Sequence, residues 1–200
     1  TNGYKREARD NDYNIEYAQK TVDGQIDDYE EGLALMPTAK IFNYIYKNDG
    51  DIHFTKKTED WNFDKPVNSN GAAFADFDND GDLDLVVNNM EETSFIMENK
   101  LEGPNNYVRF NIAGSDKNTN AIGATVKITI GEEIQYHEIQ MSRGYESSVE
   151  KIVHFGIGEN KQIDKVEIQW SNGDVLTKEN LAANQAVSYT HLRAHETRHD

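Results

Sequence analysis

From Lys40 onward, apolar and polar residues alternate in short runs, the period of strands that bury one face. Val126, Ile128 and Ile130 form one such series, and Val166, Ile168 and Trp170 another. "KIFNYIYKNDGDIHFTKK" holds two runs around Asn48-Asp49-Gly50-Asp51, where Asn/Asp-Gly supplies the positive φ angles of a tight hairpin. "AAFADFDNDGDLDLVVNN" predicts a strand up to Ala75, a tight acidic loop, and a strand from Leu83 to Asn88; "TSFIMENK" adds another short strand. After Gly103-Pro104 six more runs follow: "NYVRFNIAG", "ATVKITIG", "EIQYHEIQM", "KIVHFGIG", "KVEIQWSNG" and "VLTKENL". Before Lys40 the apolar residues thin out. Asp and Asn precede sparse amphipathic segments within residues 2–36, as N-caps would, which predicts one or two short helices ending before Pro37.

The expected fold is therefore all-β. Residues 1–39 supply a short helical insertion, preceded, as the family resemblance given below implies, by the end of an earlier blade. Residues 40–102 hold a four-stranded unit of the kind found in one β-propeller blade. Residues 105–186 hold a small antiparallel sandwich or barrel. Composition narrows the partners. The net charge of −16 argues against nucleic acid and anionic lipid, which need a basic face. No apolar run reaches the roughly 18 residues that span a membrane, so no membrane insertion is expected. Without cysteine there is neither a disulfide framework nor a thiolate metal site.

The last segment is read differently. "VSYTHLRAHET" resembles a translated sequencing-library adaptor, so residues 187–200 are expected to be a non-native tail and are set aside from the fold. His191, His195 and His199 fall there at a spacing that would align three imidazoles on a helix, and no metal is assigned to them.

The chemistry concentrates in "ADFDNDGDLDLVVNN", with Asp76, Asp78, Asp80, Asp82 and Asp84 at alternate positions. Carboxylates crowded on one tight loop either protonate or recruit a cation. Calcium suits them, because it takes six to eight oxygens in flexible geometry. Asp76, Asp78 and Asp80 occupy positions 1, 3 and 5; Gly81 permits the turn; Asp82 offers its carbonyl and Asp84 a carboxylate. An EF-hand is excluded, since position 12 is Val87 rather than glutamate and a β-branched run follows.

The stretch "NGAAFADFDNDGDLDLVVNN" resembles a blade of the FG-GAP or VCBS repeat family, seven-bladed propellers related to the integrin α head. "NAIGATVKI", "SRGYESS", "HFGIG" and "VEIQWSNGD" are similar to the ASPIC/UnbV domain, which follows such propellers in cartilage acidic proteins and many bacterial exported proteins. The resemblance implies further blades upstream in the intact chain and an extracellular, cell-surface or periplasmic location.

Other candidates carry less. His154 beside Gly156-Ile157-Gly158 lacks the G-x-G-x-x-G spacing of a nucleotide loop. Arg143 and Tyr145 fit a packed loop; Trp170, Tyr136 and Tyr107 could stack a sugar but fit a core. Ser142, His154 and Asp164 would be the one hydrolytic triad on offer in the second unit, and no G-x-S-x-G elbow accompanies them. The expectation is a non-catalytic, calcium-stabilised module that binds a protein or glycan. The alternatives are a carbohydrate-capture component of a polysaccharide-uptake system, or an accessory region of a calcium-dependent hydrolase.

Overall fold

The computed structural model describes residues 10–37, 40–90, 92–100, 103, 105–115 and 117–191. Among these are two helices and twelve strands, the all-β architecture with small N-terminal helices that the pattern predicts. The chain divides into two compact units, Thr1–Ala72 with Val87–Phe95, and Ala73–Val86 with Ile96–Asp200. The acidic loop therefore groups with the second unit rather than with the rest of the 40–102 segment.

In the first unit both helices start on aspartate caps. The Asp10 side chain accepts from Tyr13 N at 2.8 Å to open α1 (Asn11–Val22), and Asp28 accepts from Glu31 N at 2.9 Å to open α2 (Tyr29–Leu35). Glu31 Oε2 accepts from Asp27 N at 3.2 Å, one residue beyond the N-cap N–H that a capping box would use. β1 (Tyr46–Gly50) and β2 (His53–Lys56) form a two-stranded antiparallel hairpin. Its turn residues are Asp51 and Ile52, both at positive φ, so the reversal lies just beyond the Asn-Asp-Gly signal. β3 (Ser69–Ala75), β4 (Asp84–Asn89) and β5 (Phe95–Met97) make a separate three-stranded sheet. The strands expected in one blade thus lie in two sheets, and among the described residues before Tyr46 the one β pairing is an isolated bridge between Ile41 and Val67. A buried relay inside the first unit runs from Asn43 Nδ2 to Ser69 Oγ at 2.6 Å and on to Asn89 Oδ1 at 2.7 Å. Among the described residues its buried apolar side chains are few: Ile26, Phe63, Val67 and Val87.

The second unit holds the larger core. β7 (Thr125–Ile130), β8 (Glu133–Glu138), β10 (Gln162–Gln169) and β11 (Val175–Ala182) form a sheet in the order β11-β10-β7-β8. β6 (Asn106–Ala113), β9 (Val153–Gly158) and β12 (Gln185–Thr190) form the other, in the order β12-β6-β9. Alternate residues of both sheets meet in one cluster that includes Val108, Phe110, Ile112, Val126, Ile128, Phe155, Val166, Ile168 and Trp170. Neither sheet closes into a barrel. On β10 the buried positions step from Ile163 to Val166, because the register passes over Asp164 and Asn180. The Asp164 carboxylate turns instead to the N–H of Gly131 at 2.7 Å.

The unit is not antiparallel throughout, since β12 runs parallel to β6. A two-residue link, Ala183-Asn184, carries the chain from β11 in one sheet to β12 in the other. Asn184 at φ 55 donates its N–H to Tyr107 O at 2.7 Å and accepts from Tyr107 N through Oδ1 at 3.2 Å, which seats β12 at the start of β6. Val187–Thr190, set aside with the tail, lie in this strand, and Val187 and Tyr189 pack on the core. His191 follows the strand, set edge-on against Trp170 with ring centroids 5.4 Å apart and in contact with Asp174. His195 and His199 lie outside the described residues.

Candidate metal site

The loop between β3 and β4 is shaped by its own side chains. Asp78 Oδ1 accepts from Asp80 N at 3.2 Å and Asp80 Oδ1 from Asp82 N at 3.0 Å, two successive Asx turns. Asn79 at φ 62 and Gly81 at φ 102 supply the left-handed backbone between them. Asp84 closes the loop: its buried carboxylate accepts from Phe77 N at 2.9 Å and from Asn99 N at 2.8 Å. Gly81 is required for a second reason. A Cβ there would stand 1.9 Å from the ring of Tyr107.

Of the five aspartates, Asp76, Asp78 and Asp84 offer carboxylate oxygens that all lie within 4.8 Å of one another. Asp80 and Asp82 fall outside this group and shape the turn. The charges burden one another. The Asp78 carboxyl is held above its usual value first by lost hydration and then by the charges of Asp80, Asp84 and Glu98, with the N–H of Asp80 acting in the opposite sense.

One positive group does stand among them, and sequence reasoning missed it. Arg109 on β6 places Nη1 2.9 Å from Asp76 Oδ2 and Nη2 3.5 Å from Glu150 Oε1, with its side chain 13% exposed and that of Asp76 fully buried. Arg109 occupies an outward position of its strand, between inward Val108 and Phe110, and nothing in that alternation marks it as a partner of residues 33 positions earlier. The other oxygen of Asp76, Oδ1, is buried without a hydrogen-bond partner. A buried carboxylate oxygen left open, beside two further carboxylates, fits a hard cation such as calcium.

The remaining candidates do not converge. His154 sits inside strand β9 and stacks on Tyr107 with centroids 5.6 Å apart, its proton affinity lowered by burial and by Arg109. Ser142 pairs with Ser148, and Asp164 is held at Gly131. Arg143 Nη2 meets His137 Nε2 at 3.4 Å, while Tyr145 is exposed. Trp170 is buried, donating to Ala113 O at 3.0 Å, whereas Tyr136 is exposed on β8.

Comparison with known proteins agrees with this layout. Residues 33–87 match the family model for the FG-GAP-like repeat, and residues 114–196 match that for ASPIC and UnbV. The chain carries an FG-GAP-like repeat followed by an ASPIC/UnbV domain. The acidic loop falls within the FG-GAP-like match, while Arg109 lies between the two matched segments. The ASPIC/UnbV match also takes in β12. Cartilage acidic protein 1 of Xenopus tropicalis is 30% identical over 112 residues, which are 54% of this chain and 17% of that protein. The chain thus aligns with less than a fifth of that relative's length. No helix among the described residues is long and apolar enough to cross a membrane.

Proposed function

We propose that the acidic loop of the FG-GAP-like repeat is a calcium site and that the chain is part of a non-catalytic, extracellular binding or scaffold module. The observation that carries the calcium reading is the meeting of Asp76, Asp78 and Asp84 around a buried, partnerless oxygen of Asp76. Asp76 through Oδ1, with Asp78 and Asp84, would hold the ion. Calcium would supply the positive charge that Arg109 alone does not provide for three close carboxylates, and so stiffen the loop. Asp84 already accepts two backbone N–H groups, which prepositions it.

The FG-GAP and ASPIC/UnbV pairing supports the binding or scaffold role, and with it a protein or glycan ligand. The first unit supports the idea of neighbouring blades in the intact protein. Its core is small, and Tyr44, Tyr46 and Phe54 of the hairpin region are exposed. Calcium affinities on the order of 10⁻⁴–10⁻³ M are usual for extracellular modules, where the ion is plentiful. Thermal unfolding of the chain in EDTA, in excess magnesium and in excess calcium tests the site. At calcium one hundred times its dissociation constant, linkage adds about 2.7 kcal/mol. A midpoint that rises with calcium and not with magnesium supports the reading; the same midpoint in all three buffers overturns it.

A further inference from the structure

We infer that Arg109 is a built-in counter-cation of the loop, keeping it folded when no metal is bound and holding its calcium affinity down. The inference rests on the calcium reading above and adds a residue that neither family match includes. Three observations carry it.

First, the Asp76–Arg109 pair is buried, with side-chain exposures of 0% and 13%, so the Asp76 carboxylate depends on Arg109 for compensation, while Arg109 also meets Glu150 at 3.5 Å. Second, Arg109 engages only Oδ2 of Asp76 and leaves Oδ1 open, so guanidinium and metal are addressed to the two oxygens of one carboxylate. Third, the loop is fastened to the same strand at a second point. The Tyr107 ring fills the space over Gly81 and stacks on His154, which is the cross-strand partner of Arg109. The loop is thereby moored to β6 by a charge and by a ring, two residues apart.

Opposite signs follow for the two properties. Without the guanidinium, Asp76 becomes an unpaired buried carboxylate and the metal-free protein loses stability. The same change removes a positive charge a few ångströms from a divalent ion, whose repulsion amounts to about a factor of ten in affinity even at the dielectric of water. A residue that merely shaped the loop would weaken stability and calcium binding together.

Calorimetric calcium titration and EDTA melting of the full 200-residue chain test this with R109M, R109Q and R109K. R109Q keeps a hydrogen-bond donor for Asp76 and guards against a variant that fails to fold; R109K keeps the charge. The expected result is a lower EDTA midpoint with about tenfold tighter calcium binding in R109M and R109Q, and parent-like affinity in R109K. Calcium binding in R109Q that is equal to or weaker than the parent's overturns the inference while leaving the calcium site standing. No calcium binding by any of the four proteins overturns the site itself and the inference with it.

Discussion

Replacing Asp84 by alanine in metal-free buffer separates the architectural role of this carboxylate from any role as a ligand. Asp84 is buried, and its two oxygens accept from Phe77 N and Asn99 N at 2.9 and 2.8 Å, bonds that close the loop and tie it to the chain after β5. Hydrogen bonds to a charged acceptor contribute about 1.5–3 kcal/mol each. Both donors are only part-buried, and water can reach them once the carboxylate is gone, so the lower end applies: about 3 kcal/mol for the pair. In a unit of roughly 120 residues this lowers the midpoint by about 10 °C. Asp84→Asn keeps one acceptor and should lose about half as much. The assay is thermal unfolding in EDTA followed by near-ultraviolet dichroism of Trp170, which is packed in the β core of the same unit. A midpoint for D84A within about 2 °C of the parent would refute the reasoning, because it would mean that Asp84 matters only through a metal.

Further outcomes follow from the same geometry. Gly81→Ala combines a positive φ of 102° with a Cβ driven into Tyr107, and should destabilise by about 1–3 kcal/mol; the double variant with Tyr107→Ala should recover the steric part, as a double-mutant cycle will show. Phe110→Ala empties the centre of the β6 face and should cost about 3–5 kcal/mol by urea denaturation. Burial, and then the charge of Arg143, holds the proton affinity of His137 below its ordinary value. The unfolded chain therefore binds the proton more readily, so stability is complete above about pH 6.5 and falls as pH drops toward the lower folded value. His137→Gln should flatten that acid slope in melts recorded in EDTA between about pH 5 and 7.5.

Much of this molecule could be read from alternation alone. The six runs after Gly103 became β6 to β11; β6, β7, β9 and β10 each bury a face of Val, Ile or Phe, while β8 and β11 form the edges of their sheet and carry no buried residue. The aspartate caps of α1 and α2 were legible for a local reason, since the donor each satisfies lies three residues away. What escaped was non-local. β12 pairs with a strand some 80 residues earlier, through a two-residue link whose direction no periodicity encodes. Arg109 presented as an outward polar residue until the fold set it beside Asp76. The grouping of Asp76, Asp78 and Asp84 apart from Asp80 and Asp82 also needed coordinates. Alternate spacing makes all five equivalent, and only the Asx turns at Asp78 and Asp80 and the closure by Asp84 divide them.

Equilibrium dialysis of the chain against radiolabelled calcium, with Asp78→Asn and Glu132→Gln alongside, tests the central claim most directly. Asp78 belongs to the carboxylate cluster and Glu132 to an exposed hairpin turn outside it. Saturable binding of about one ion per chain is expected, with a dissociation constant on the order of 10⁻⁴–10⁻³ M, unchanged in E132Q and lost in D78N. Equal calcium retention by D78N and the parent would contradict the claim.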